Sequence, residues 1–143
     1  MEPLKINLGV KKIKDIEFSI NENIDVPTPV TANITFELST HLNENENLVE
    51  MVLSATFTDQ EKENILMKIK TSNIFFLLEL QQLLDKETKQ YNIPDNIMIT
   101  MLSLSISHTR ALLAKNTLGT KFSEIYIPIL NPAELFNNLY NKH

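Results

Sequence analysis

The sequence has no cysteine, no tryptophan and only two glycines. Without cysteine the chain forms no disulfide, carries no thiol nucleophile and offers no thiolate to a metal ion. The isolated Gly9 and Gly119 exclude a glycine-rich loop of the kind that binds phosphate groups or a dinucleotide. We therefore expect no cofactor.

Basic residues are scarce relative to acidic ones. There are 13 Lys and Arg against 18 Asp and Glu, which gives a formal net charge of -5. This balance disfavours wholesale binding to nucleic acid or to an anionic membrane surface. The apolar runs 74–80 and 97–106 are too short or too interrupted to cross a bilayer, and the N-terminus does not resemble a signal peptide. We expect a cytoplasmic protein in which residues 1–143 form a single domain.

Candidate catalytic and metal-binding residues are few. The three histidines lie far apart in sequence, and none has ligand-like spacing to a second histidine, so we expect no metal site. No serine sits in a tight glycine-flanked turn that would expose it as a nucleophile. His108, on a predicted buried helix beside Arg110, is more simply a structural residue. We expect no catalytic residue and no enzymatic activity.

The first half of the chain alternates between apolar and polar residues, as β-strands with one wet face do. Four strands are predicted, around residues 16–20, 34–38, 49–57 and 65–69. Ile13 falls out of phase with the apolar residues on either side of it, which indicates a bend or bulge at residues 11–14. The short polar turns predict an antiparallel meander. Four strands cannot cover their own apolar face, so helices must do so.

The second half of the chain predicts those helices. Residues 94–96 (Pro-Asp-Asn) are a plausible helix start, and residues 97–115 contain no Gly or Pro. Asn131 is an N-cap candidate for a final helix with Pro132 at its first position. We also expect a short helix at residues 80–90, before the long helix, and an extended segment at residues 122–130, between the two helices. The fold class is α+β, with a four-stranded antiparallel sheet covered by a long helix and a short C-terminal helix.

Two features exceed what a simple core requires. Residues 74–78 (Ile-Phe-Phe-Leu-Leu) form a run in which neither strand nor helix periodicity hides every side chain. Leu66 shares a strand face with Lys68 and Lys70, where a polar residue is expected. These residues belong either to the core or an oligomer contact, or to an exposed apolar surface that receives partners.

Several strings, taken in order, resemble those of the SecB family of export chaperones. They are Lys14-Asp15-Ile16-Glu17-Phe18, the strand 65–69 running into Ile74-Phe75, the long helix 94–115, and Asn131-Pro132-Ala133-Glu134-Leu135-Phe136 followed by Leu139-Tyr140. The resemblance spans residues 4–140. It implies a SecB-like α+β fold and a cytoplasmic holdase without cofactor, whose clients are unfolded preproteins. It also implies dimers that pair into a homotetramer through the long helix.

The resemblance implies three sets of site residues. The client-binding groove would contain Phe18, Phe36, Phe57, Ile74, Phe75, Phe76 and Phe136. The surface that docks on the translocase motor SecA would contain Asp15, Glu17 and Leu66. The oligomer interface would contain the small residues that recur along the long helix, Thr100, Ser103, Ser107, Ala111 and Ala114.

Two positions depart from the SecB pattern. Ser19 stands where the family has an acid, and Lys68 stands where it has a glutamate. The second change reverses a charge, which weakens docking on a basic partner. SecB-like proteins that shield the antitoxin of a toxin–antitoxin pair fit such a surface, so an antitoxin is the alternative client.

Two hypotheses from other classes stay open. The sheet and the long helix could enclose an apolar pocket, which would make the protein a small-ligand-binding module. An enzyme on the same scaffold would use His108 with a nearby carboxylate.

Overall fold

The computed structural model describes residues 5–24, 32–60 and 64–140. The main sheet contains strands β1 (Leu8–Ile20), β2 (Asn33–Asn43), β3 (Leu48–Thr58) and β4 (Ile65–Leu77). A 3-10 helix (Leu80–Leu83) and a small hairpin of β5 (Leu84–Asp85) and β6 (Gln90–Tyr91) follow. The chain then forms helices α1 (Asp95–Asn116) and α2 (Pro132–Tyr140). These elements confirm the predicted α+β class.

The strand order corrects the predicted meander. The four strands are antiparallel and lie in the order β1-β4-β3-β2, so β2, β3 and β4 are sequential neighbours while β1 pairs with β4. The edge strands of the sheet are therefore β1 and β2, which are the first two strands in the chain.

Strand β3 is the most regular part of the sheet. Its alternation places five apolar side chains with no exposed surface on the face under α1, Val49, Met51, Leu53, Ala55 and Phe57. We call this side of the sheet the inner face, and the opposite side the outer face. On β4 the inner face contains Ile69 and Phe75, which are also fully buried.

Strand β1 contains two irregularities. The register with β4 shifts between Val10 and Lys12 and again between Asp15 and Glu17. The first shift confirms the bulge predicted from the phase of Ile13. Each extra residue reverses which side chains face inward, as bulges do.

Helix α1 lies across the inner face of the sheet. It buries Met101, Leu102, Ile106 and Leu113 against the sheet. By length and composition alone α1 would qualify as a membrane-spanning helix, a test that the core helix of a soluble protein also passes. Its observed bounds agree with the predicted helix over 97–115.

The predicted short helix over 80–90 is wrong beyond its first turn. Asp85 accepts hydrogen bonds through Oδ1 from the backbone N–H groups of Glu87 and Thr88, at 2.9 and 3.4 Å. These bonds hold the pKa of the Asp85 carboxyl below its usual value. Lys89 has a φ of 59°, in the left-handed region. Local side-chain bonding of this kind favours a turn over a helix, so a hairpin forms here.

Candidate functional site

An open cleft of about 440 Å³ lies where the start of β2 meets the segment that joins α1 to α2. Its walls are Ala32, Ile34, Phe57, Gln60, Glu124, Ile125, Tyr126 and Pro128. The floor is apolar, because Ile34 and Phe57 are opposite one another on the inner face of β2 and β3. Gln60 and Glu124 add polar groups, so the cleft combines apolar contact with hydrogen-bonding capacity.

The connecting segment that forms one wall is held by α1. Arg110 donates from Nε to the carbonyl oxygen of Ile127 at 2.9 Å and from Nη2 to that of Pro128 at 2.7 Å. The same segment buries three of its own apolar side chains, Phe122, Ile125 and Ile127. A guanidinium that bonds two successive carbonyls fixes the path of irregular backbone that has no strand partner to do so.

The far end of the segment is fixed by the start of α2. Asn131 Oδ1 accepts hydrogen bonds from the backbone N–H groups of Ala133 and Glu134, at 3.1 and 3.2 Å. This confirms the predicted N-cap and Pro132 as the first helical residue. Further along α2, the Tyr140 hydroxyl bonds the Thr40 hydroxyl of β2 at 2.5 Å. Helix α2 is therefore tied to the edge strand beside the cleft.

Large apolar side chains around the cleft are exposed. Tyr126 is 54% exposed and Ile129 is 96% exposed, although both lie in a segment held at several points. Tyr126 lines the cleft, and an exposed tyrosine next to an apolar floor can contact an apolar partner.

Strand β2 adds backbone groups to this surface. As an edge strand it pairs with β3 on one side, and no described strand pairs with its other side. In an antiparallel edge strand, alternate N–H and C=O groups point away from the sheet and can accept an additional strand. An extended polypeptide can therefore use both the cleft and this edge.

The predicted groove residues do not share one surface. Phe18 and Phe36 are half-buried on the inner face of the two edge strands, while Ile74 and Phe76 lie on the outer face. The remaining three are buried in the core: Phe57, Phe75 and Phe136. Only Phe57 lines the cleft. The seven side chains therefore do not share one surface of this chain, because the alternation of β4 sends neighbouring residues to opposite faces, and their part in client binding stays a prediction.

The predicted SecA-docking residues are also separated. The second bulge of β1 puts Asp15 on the inner face, opposite Thr71, where its Oδ2 accepts a 2.6 Å hydrogen bond from Asn116 of α1. Glu17 lies on the outer face opposite Lys70. The predicted common surface for Asp15 and Glu17 is wrong for this reason.

The third docking candidate, Leu66, has no exposed surface. The β3–β4 register is irregular between Phe57 and Thr58, where Leu66 is the extra residue of β4. It turns inward beside Met67 instead of sharing the face of Lys68. Its predicted exposure is therefore corrected.

His108 belongs to a hydrogen-bonded network under α1. Its Nδ1 lies 2.9 Å from Asn73 Oδ1, and the Asn73 amide nitrogen donates to the Met51 carbonyl at 3.1 Å and to Thr71 Oγ1 at 3.0 Å. Since the Asn73 oxygen accepts, His108 Nδ1 carries a proton. Burial lowers the pKa of His108. The partner at Nδ1 is an amide and not the carboxylate that the enzyme hypothesis required.

The small residues predicted for an oligomer interface lie away from the deepest part of the core. Thr100, Ser107 and Ala111 are exposed, and Ser103 and Ala114 are half-buried. The stripe is therefore accessible in the monomer, and its role as an interface stays a prediction.

Sequence reasoning missed the residues that form the cleft wall. Ile125 and Ile127 are buried while Tyr126 and Pro128 are exposed. The sequence carried no signal for this alternation of burial, because residues 125–130 (Ile-Tyr-Ile-Pro-Ile-Leu) are apolar throughout. Which side chains line the cleft depends on contacts with α1 and β2.

No family model matches the sequence, and no similar sequence is found among curated proteins. Among solved structures, a SecB-like chaperone of Mycobacterium tuberculosis, in complex with a ChAD peptide from the HigA1 antitoxin, is similar to this chain. The TM-score is 0.57 at 9% sequence identity, over 87% of this chain and 90% of that one. A protein of unknown function from Streptococcus agalactiae, at 10% identity over 88% of this chain and 100% of that one, has a TM-score of 0.34, too low to indicate a common fold. The chain therefore has a SecB-like fold.

Proposed function

We propose that this protein is a molecular chaperone that binds non-native polypeptides and prevents their aggregation. The observation that carries the proposal is the cleft of about 440 Å³ beside β2, an edge strand among the described strands, with the lining residue Tyr126 exposed. Apolar contacts with backbone hydrogen bonds suit binding of an extended chain without strict sequence selectivity. The chaperone of similar fold, solved with an antitoxin peptide, supports a polypeptide as the client.

The client is an antitoxin or an unfolded preprotein in the cytoplasm. The structure offers less support for an export role through SecA, because Asp15 bonds α1 and Leu66 is buried, which leaves only Glu17 on the outer face. An antitoxin client is the version we favour.

The working form in this proposal is a homotetramer, a dimer of dimers that associates through the small residues of α1. Thr100, Ser107 and Ala111 are exposed and short enough to let a second backbone approach closely. Light scattering after size-exclusion chromatography measures the mass of the protein alone and with an unfolded client.

The small-ligand hypothesis would use the same cleft. Its volume lies within the range of small-molecule sites. Such sites bury most of the ligand surface, whereas this cleft is open to solvent. The geometry therefore favours an elongated polypeptide over a compact ligand.

Suppression of aggregation tests the chaperone function. We expect the protein at stoichiometric amounts to prevent light scattering by a thermally unfolding test protein, and Tyr126→Asp to lose most of this activity by placing a charge in the cleft wall. The matched control is Ile65→Asp, since Ile65 is 53% exposed but lies outside the cleft. Equal activity of wild type and Tyr126→Asp would exclude the cleft as the client site. No suppression by the wild type would remove the proposal.

A further inference from the structure

The outer face of the sheet carries a cluster of lysines. Lys12 and Lys14 of β1 are opposite Ile74 and Ser72 of β4 on this face, and Lys68 and Lys70 follow on β4 itself. The bulged Lys11 joins them, because its Nζ lies 5.7 Å from the centroid of the Phe76 ring. We call these residues the lysine face: Lys11, Lys12, Lys14, Lys68 and Lys70.

The lysine face contrasts in charge with the rest of the protein. The outer face of the whole sheet contains these five lysines and three glutamates, Glu17, Glu37 and Glu50. The rest of the sequence then has eight basic and 15 acidic residues, given totals of 13 and 18. A positive surface on an acidic protein is a local feature that net charge conceals.

Such a cluster costs free energy in the isolated chain. Adjacent strands are only about 4.8 Å apart, so lysines on β1 and β4 lie within a Debye length of one another. Glu17 lies opposite Lys70, and Glu50 of β3 accepts a hydrogen bond from Ser72, the residue opposite Lys14, so these two carboxylates offset part of the positive charge. An acidic partner would relieve the remaining repulsion, which gives the face an electrostatic preference for negative charge.

An apolar region adjoins the lysines at one end of the same face. Phe76 is 38% exposed under the Lys11 ammonium group. Next to it, a hollow of about 180 Å³ is lined by Leu42, Leu48 and Ile74 together with His41, Asn43 and Glu50. The hollow has room for a single apolar side chain of a partner.

We propose that the lysine face binds an acidic polypeptide segment that carries an apolar anchor residue. The lysines pair with carboxylates of the segment, and the anchor enters the hollow beside Phe76. This is opposite in sign to the acidic surface that the resemblance to SecB implied. The proposal does not rest on the chaperone function, because the cleft lies on the inner side of the sheet and this surface on the outer side.

The face fits a polypeptide better than a phosphate polymer. A phosphate polymer carries a charge at every residue, so Glu50, which lines the hollow, would repel the phosphate placed there, whereas a polypeptide can put its carboxylates over β1 and β4 and its uncharged anchor beside Glu50. A phosphodiester backbone has no apolar side chain to place in the hollow, whereas a leucine or phenylalanine of an acidic segment fills it.

Binding of a defined peptide tests the proposal. The probe is a dye-labelled peptide of Glu and Gly with one central Phe, and fluorescence anisotropy measures its dissociation constant at low salt. The test variant combines Lys12→Glu and Lys14→Glu at the exposed edge strand. The control combines Lys86→Glu and Lys89→Glu in the β5–β6 turn, which makes the same change in net charge away from the face.

We expect the Lys12/Lys14 variant to weaken binding at least about tenfold and the Lys86/Lys89 variant to change it less than about twofold. Raising the salt to about 0.5 M weakens wild-type binding. A peptide with Lys in place of Glu does not bind the face, and one with Ser in place of Phe binds more weakly. Thermal melting confirms that each variant is folded, and Lys70→Glu provides an independent change on the central strand.

Any of the following outcomes would overturn the proposal: no binding of the acidic peptide, equal loss in both double variants, equal binding of the basic peptide, or tighter binding of a DNA oligonucleotide or an anionic vesicle to the same lysines. If instead the lysine variants only changed the mass of the oligomer, the face would be a contact between copies and the proposal would be wrong. Tyr126→Asp, which changes the cleft, should leave peptide binding to the lysine face unchanged. A failure of the proposed chaperone function can therefore be told apart from a failure of the lysine-face proposal.

Discussion

The inner and outer faces of the same sheet differ in what covers them. Helix α1 packs on the inner face, where β3 and β4 contribute apolar side chains with no exposed surface. The outer face has no helix on it among the described residues and carries lysines, glutamates and a half-exposed phenylalanine. Adjacent residues of one strand therefore face different surroundings. Those on the inner face stabilise the core, and those on the outer face are accessible to the partner that we propose.

The adjacent pair Phe75 and Phe76 gives the largest expected difference. Phe75→Ala empties a fully buried site on the inner face and should lower the free energy of unfolding by about 3–5 kcal/mol. Phe76→Ala removes a partly exposed ring on the outer face and should cost less than about 1.5 kcal/mol. Urea denaturation at one fixed protein concentration measures both. Equal losses would mean that the outer face is buried in the assembled protein.

The polar network beneath α1 gives an intermediate effect. Asn73→Leu removes the amide that bonds His108, Thr71 and the Met51 carbonyl, and the unpaired groups left behind should cost about 1–3 kcal/mol. Asn138→Leu, at an exposed position of α2, is the matched control and should change stability by less than about 0.5 kcal/mol. An unchanged free energy of unfolding in Asn73→Leu would show that an apolar side chain can replace the hydrogen-bonded network without loss of stability.

The titration of His108 gives the smallest effect. Burial lowers its pKa below 6.5 in the folded state, so the unfolded chain binds more protons in the region below that pH. Its contribution to stability is complete above pH 6.5 and is lost as the pH falls through the interval between the two pKa values. His108→Asn keeps a donor toward Asn73 but does not titrate, so its melting temperature should fall less than that of the wild type between about pH 7.5 and 5.5.

Glu79 does not obscure this measurement. Its carboxylate accepts hydrogen bonds from the backbone N–H of Asn7 at 2.8 Å and from the Asn7 side chain at 2.5 Å, and these lower its pKa below 4.5. Its contribution is lost only in more acidic solution, below the range of the His108 test. Equal pH dependence of wild type and His108→Asn would contradict the assignment.

Local sequence patterns correctly predicted the elements whose conformation depends on residues close to one another in the chain or on regular pairing on both sides. Strand β3 is central and paired on both sides, so its period-two alternation translates directly into a buried face. The start of α2 depends on Asn131 and Pro132, whose capping geometry lies within a few residues. The bulge near Lys11 was readable for the same reason, because Ile13 broke the phase of its own strand.

The candidate site was less predictable because it depends on distant contacts. The position of residues 125–128 follows from Arg110, about one and a half turns before the end of α1, bonding the carbonyls of Ile127 and Pro128. The second bulge, which separates Asp15 from Glu17, left no break in the apolar pattern that the sequence could show. The inward turn of Leu66 likewise results from a register shift against β3.

The sequence by itself determined the α+β composition, the regular inner face of β3, the approximate bounds of α1 and the start of α2, since periodicity and capping act over a few residues. Only the tertiary structure decided the strand order, the cleft beside β2 and the lysine face. Each of these joins residues far apart in the chain, and their pairing depends on long-range register, which local preferences do not specify.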